Sequence, residues 1–262
     1  MQDEKIYLKR MNDVLQQKLF FLSKIDISTY DTIVDFGCAD GVLLNAIEEI
    51  NPNKKCRYFG IDNNETFIRK ARAPSHSIMF FLFDIEQAIK YQYLFMGGKN
   101  LVIFSSVLHE ATADFKRCGE TALTDFMQIF DTVVIRDMIA PVKGGSSASK
   151  EHIAEIKGKL PKWQVNSFEN VWGAIDTREK LYHFLLKNEF VENWGTEVQE
   201  NYFATEWEKI IKTLSGYKIA YDRMFTLPYR AEQVEKAFGF KMIDVTHREL
   251  ILQRSMIERG QK

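Results

Sequence analysis

The stretch SSVLHE at 105–110 closes an apolar run with a histidine and a glutamate side by side. A histidine near its ordinary pKa takes a proton from an amine or a hydroxyl at neutral pH, which makes His109 a candidate base with Glu110 as its charged neighbour. The plainer alternative has His109 packing on a ligand and Glu110 complementing the dipole of a following helix. A second pair, Arg136 and Asp137, closes the run TVVIRDM. These two orient a substrate or pair with each other, and mutual pairing is the simpler expectation. The third chemical feature is IVDFGCADG at 33–41, where Gly37, Ala39 and Gly41 leave a chain of bare backbone amides. Bare amides ahead of a helix let a ligand approach closely.

These residues all need a scaffold that ends several strands at one edge. The segments 32–36, 56–62, 78–84, 100–108 and 131–138 are apolar and β-branched or aromatic, and helical patterns at about 42–50, 65–72, 86–94 and 124–130 alternate with them. Continuous apolar strands of this kind predict a parallel sheet covered on both faces, a doubly wound α/β fold. Ligands of such sheets bind outside the carboxyl ends of the strands, where the glycine loop, His109 and Arg136 all fall.

The glycine loop discriminates between cofactors. A dinucleotide fingerprint spaces its glycines as Gly-x-Gly-x-x-Gly, whereas here the small residues are two and two apart. A nicotinamide dehydrogenase is therefore the weakest of the enzyme readings. The acidic residue expected about twenty positions on to hold ribose hydroxyls is present as Asp62 in YFGIDNN. Its alternative role is to cap the next helix.

With IVDFGCADG, YFGIDNN at 58–64, FLFDIE at 81–86 and LVIFSSVLHE at 101–110 in this order, the chain resembles the class I S-adenosylmethionine-dependent methyltransferases over residues 30–140. The resemblance implies that Asp35, Gly37, Cys38, Ala39 and Gly41 lie around the methionine part of the cofactor. It likewise implies that Asp62 and Asn63 hold the ribose, that Asp84 and Ile85 frame the adenine, and that Ser105 lines the floor. Ala39 stands where the family has its middle glycine, a change a methyl group satisfies if the backbone keeps a negative φ. Methyl transfer from a sulfonium then needs an aligned acceptor and a place for its proton.

The remaining chain divides as an N-terminal helical cap (1–28), the cofactor-binding core (29–140), a helical insertion (141–216) and C-terminal elements completing the sheet (217–262). The cap reads as amphipathic helix over 4–24 through Leu8, Met11, Val14, Leu15, Leu19 and Leu22. In the insertion, helices are predicted at 150–159, from Asp176 and from Thr205, the last through the capping box T-E-W-E. All four tryptophans fall within 163–207, so the block is either a small core or an aromatic lid over the acceptor, with Tyr182 and His183 as contact candidates. The small-residue run KGGSSASK at 143–150 reads as a hinge or as a plain surface loop.

Net charge −1 and ordinary proportions of apolar and charged residues fit a soluble protein with no wholesale nucleic-acid partner. A small-molecule acceptor is favoured, with a protein or RNA acceptor as alternatives, the latter through Lys157, Lys159, Lys162 and Lys187. Cys38, Cys56 and Cys118 have neither disulfide parity nor metal spacing. No metal is expected, and the cytoplasm is the expected compartment. The charged start, with no apolar segment, predicts no secretory signal. The competing class is a non-catalytic S-adenosylmethionine-binding partner whose insertion is an interaction surface.

Overall fold

The structure is a computed structural model that describes residues 15–73, 77–111, 118–119, 121–140 and 150–255. Seven strands form one sheet in the order β3-β2-β1-β4-β5-β7-β6. They are β1 (Thr32–Phe36), β2 (Arg57–Asp62), β3 (Ile78–Leu82), β4 (Asn100–Ser105), β5 (Thr132–Met138), β6 (Tyr217–Phe225) and β7 (His247–Arg254). The pairs β1·β2, β1·β4, β2·β3 and β4·β5 are all parallel. The doubly wound α/β architecture expected from the sequence is the one found.

The central strands are what their composition dictates. Every residue of TIVDF in β1 and of NLVIFS in β4 is buried, as a strand covered on both faces requires. Strand order reverses between β1 and β4. This is the switch point of an open α/β sheet, where the loops leaving adjacent strands turn away from each other and open a crevice. The helices preceding and covering it are α1 (Leu15–Lys18), α2 (Val42–Ile50), α3 (Glu65–Arg72), α4 (Ile85–Lys90) and α5 (Ala122–Met127). In α2 the inward residues Leu43, Leu44 and Ile47 join Ile33, Leu101 and Ile103 in one core.

The chain divides into two compact units. The sheet unit runs up to Asp137 and takes in 211–222 and the chain from Glu249. The other unit comprises residues 138–210 and 223–248, so it reaches past the insertion read at 141–216. Its helices are α6 (Lys150–Lys159), α7 (Lys162–Trp172), α8 (Arg178–Lys187), α9 (Ala204–Thr213) and α10 (Pro228–Phe238). Val234, Phe240 and Met242 supply part of the core built by Phe168, Tyr182 and Phe184, which is why the 223–248 segment belongs here. Helix α9 begins one residue before Thr205, so Thr205 is not its cap. Helix α7 was not anticipated. The hinge or loop at 143–149 and the predicted helix over 4–14 lie outside the described residues. Among the described residues no helix is long and apolar enough to cross a membrane.

Candidate functional site

Three backbone segments build the site in the sheet unit. The first is the loop after β1, whose conformation only small residues tolerate: Gly37 has φ +75°, Ala39 φ +46° and Gly41 φ +77°. A Cβ on Gly37 would overlap Val107, and one on Gly41 would meet the Phe80 ring at 2.6 Å. Gly37 and Gly41 are bare because neighbouring side chains fill their space in a left-handed backbone. Ala39 contradicts the expectation of a negative φ. Its methyl sits in the left-handed region, which costs roughly 1 kcal/mol relative to glycine.

The second segment is the end of β2. Asp62 Oδ2 accepts the Ala39 amide at 2.9 Å and Oδ1 accepts the Asn64 amide at 2.9 Å. The cap of α3 is Asn64, whose side chain accepts from the Thr66 and Phe67 amides, so Asp62 is not the helix cap. Burial pushes the Asp62 carboxyl above its ordinary pKa, against the pull of the Asn64, Ala39 and Asn63 amides. Asp84 caps α4 in a reciprocal capping box with Gln87, and Ile85 is the first residue of that helix.

The third segment is the end of β4. Ser105 is buried, and its hydroxyl finds no hydrogen-bond partner among the described residues. It lines a pocket together with Lys18, Asp35, Gly37, Ala39 and Asp40; Cys38 also lines it, and burial holds that thiol far above its ordinary pKa. The Gly37 and Cys38 amides donate to the Ile61 carbonyl and the Gly41 amide to that of Cys38, so the orphaned hydroxyl, with Lys18 and Asp35 in the same wall, is what fits a polar ligand.

The cavity carries a charge the sequence reading missed. Lys18, from α1, is buried and reaches the wall beside Asp35. Burial lowers the Lys18 ammonium, with Asp35 opposing that shift. Burial raises the Asp35 carboxyl, with Lys18 opposing and nearby Asp62 adding to it. Lys18 follows Leu15 by three positions and precedes Leu22 by four, so helical spacing already put it on the apolar face.

Just past Ser105 the chain turns, and His109 enters a short helical segment. His109 Nδ1 lies 2.6 Å from Asp137 Oδ1, while the His109 backbone amide donates to Asp137 Oδ2 at 3.1 Å. On the other side of the ring, Glu110 Oε1 is 3.7 Å from Nε2. Alternation along β5 sends Arg136 and Asp137 to opposite faces. Arg136 donates to Gln17 at 2.9 Å and to the Ser106 hydroxyl at 3.4 Å, and both Arg136 and Asp137 are buried.

Tyr182 and His183 do not behave as acceptor contacts. Both are fully buried in the core of the helical unit. The Tyr182 hydroxyl accepts from the amides of Ile243 and Asp244. The ring of His183 is enclosed by Phe168, Trp172, Tyr202 and Phe203. Aromatic density in 163–207 makes a core at these two positions.

Solved structures share the arrangement of the chain. The [4+2]-cyclase SpnF superposes with a TM-score of 0.53 at 11% identity, over 92% of this chain and 80% of that one. The plantazolicin methyltransferase BpumL in complex with SAH gives 0.51 at 12% identity, over 96% and 90%. The fold is that of the class I methyltransferases. A chain in the complex of the Haloferax volcanii Trm112 methyltransferase activator with a protein described as a methyltransferase gives 0.51 at 13% identity, over 94% of both. No protein-family model matches the sequence, and no curated protein matches it. At these identities the likeness is one of fold, and the same fold carries a methyltransferase and a cyclase, so the chemistry is argued from the site.

Proposed function

We propose that the chain is an S-adenosylmethionine-dependent methyltransferase whose acceptor offers a nitrogen or an oxygen. The observation that carries this reading is the Asp62 carboxylate at the end of β2, tied to the Ala39 amide of the strained loop and set beside a cavity floored by the orphaned Ser105 hydroxyl. A pair of ribose hydroxyls would replace backbone donors on Asp62, and the glycine loop would border the methionine end. Asp84 and Ile85 would frame the adenine, as the sequence resemblance implies. When bound, the sulfonium would supply an activated methyl group. The protein's own part is to hold it, align the acceptor and accept a proton, for which His109 stands at the β4 end. Near-zero net charge supports a small-molecule acceptor over a polyanion.

Calorimetric titration with S-adenosylmethionine and with NAD tests the cofactor. Micromolar binding of the first and none of the second is expected, and the reverse overturns the reading. Incubation with methyl-labelled cofactor and a cell extract tests the transfer, because a methyltransferase labels a defined fraction. The second reading is a binding partner without transfer, favoured by the occurrence of this fold in a [4+2]-cyclase. It is supported if the cofactor binds and no fraction of any extract is labelled.

A further inference from the structure

Lys18 stands where a charge is costly. It shares a stripe with Leu15, Leu19 and Leu22, which pack against the core of the sheet unit, and it is itself buried. An ammonium withdrawn from water needs compensation by opposite charge; an apolar side chain of similar length would need none. Compensation comes from Asp35, Asp40 and Asp137, which favour its charge, while Arg136 opposes it. Lys18 also lines the pocket with Asp35, Asp40 and Ser105, and among the described residues of that lining it carries the one positive charge.

The loop amides beside it are already spent. Those of Gly37 and Cys38 donate to the Ile61 carbonyl, that of Gly41 to the Cys38 carbonyl, and that of Ala39 to Asp62. An anionic group entering the pocket therefore finds no available amide at these four positions, and Asp35 and Asp40 repel it. The side-chain donors that face it are the Lys18 ammonium and the Ser105 hydroxyl, which has no partner among the described residues.

We propose that Lys18 takes the carboxylate of the ligand's amino-acid end, so that this pocket selects S-adenosylmethionine over its decarboxylated form. The proposal rests on the reading of the pocket as an S-adenosylmethionine site. The lining then matches a zwitterion, with the ligand's ammonium toward the acidic side chains and its carboxylate toward Lys18. On binding, Lys18 exchanges part of its compensation by Asp35 for the ligand's carboxylate, and Asp35 turns to the ligand's ammonium. A lysine that only neutralises Asp35 has a different signature: its loss alters affinity for both forms of the ligand alike, since both carry the ammonium and the sulfonium.

The experiment is a two-by-two cycle by calorimetry on the full chain, with S-adenosylmethionine and decarboxylated S-adenosylmethionine each titrated into the parent and into Lys18→Met. In the parent the carboxylate-bearing form is expected to bind at least about thirtyfold more tightly, the scale of a desolvated charge pair broken on one side. In Lys18→Met that ratio is expected to fall to about threefold or less, because either loss alone already removes the interaction. An equal ratio in both proteins overturns the proposal and leaves the carboxylate to the first turn of α2, whose Val42 and Leu43 border the pocket. A parent that binds both forms equally overturns it without any variant. Lys18→Met/Asp35→Asn removes both buried charges together and serves where the single variant does not fold, with the same collapse of the ratio expected. A parent that binds neither form overturns the cofactor reading and the proposal with it, whereas binding with an unchanged ratio strikes Lys18 alone.

Discussion

Two histidines, His109 in the sheet unit and His183 in the helical unit, are both buried and both hydrogen-bonded, yet their surroundings ask opposite things of them. His109 has a carboxylate on Nδ1 and a second near Nε2, so a positive ring is accommodated there. His183 has four aromatic rings about it and is paired through Nε2 with the backbone at Glu200 and Tyr202. Burial, with help from Lys187, pushes its pKa well below the ordinary value. It stays neutral and packs. The residue type is the same in both places, and the partners of the ring, carboxylates in one and aromatic rings in the other, set the two apart.

The same contrast holds for the lysines. Lys18 is buried at a cavity wall beside Asp35. Lys187 is closed off inside its unit, donating to the carbonyls of Glu197 at 2.5 Å and Glu200 at 2.8 Å and lying 3.8 Å from the Tyr202 ring centroid. The Lys187 ammonium is satisfied by groups of its own unit, whereas Lys18 shares its wall with the orphaned Ser105 hydroxyl.

The comparison is tested most severely at His109. His109→Gln keeps the size and polarity of the side chain and removes the proton acceptor; transfer should fall by about 10²–10⁴-fold with cofactor affinity intact. A variant with full activity would erase the distinction between the two histidines. Next is Gly37→Ala, which combines a left-handed φ with an overlap on Val107. A loss of about 3 kcal/mol in denaturant unfolding and a matching loss of cofactor binding are expected.

In the helical unit, Tyr202→Phe removes an O–H donated to the carboxyls of Glu197 and Glu200. Stability should drop by about 1–3 kcal/mol, with no change in cofactor affinity by calorimetry. The pH dependence of this unit has a definite sign. Burial lowers Lys187 from 10.5 to about 8, with Glu197 and Glu200 opposing. Between those values the unfolded chain binds more protons than the folded one, so this group's contribution to stability rises with pH across the window and is flat below it. Denaturant midpoints measured from pH 7 to 10.5 should show a smaller rise in Lys187→Met than in the parent, the remainder coming from Lys18, which burial also lowers to about 8. The smallest effect is expected for Ala39→Gly. Relief of φ +46°, offset by the added freedom of the unfolded chain, should stabilise by about 0.5 kcal/mol.

The middle of the sheet was the most legible part of the sequence because β1 and β4 are buried on both faces and therefore mostly apolar, as TIVDF and NLVIFS are. The glycine loop was legible for a related reason, since only small residues survive its backbone. Helix α7 was hidden by its own residues. Trp163 and Val171 are exposed while the polar Gln164 is buried and donates to the Asn188 carbonyl, which inverts the expected polarity of the two faces. Lys18 was missed because charge outweighed spacing. The pairing of Asp137 with His109 was illegible because it joins positions 28 apart in the chain, and the neighbour in sequence, Arg136, was the more obvious partner.

One aromatic ring has the widest reach. Phe80, on edge strand β3, occupies the space that side chains on Gly41 and Gly60 would need, and Cys38 Sγ crowds Gly60 at 2.9 Å from the other side. Shrinking that ring alone therefore frees neither glycine, since Gly41 keeps its left-handed φ of +77° and Gly60 keeps Cys38 at its side; positions 41, 60 and 80 are locked by more than one neighbour each.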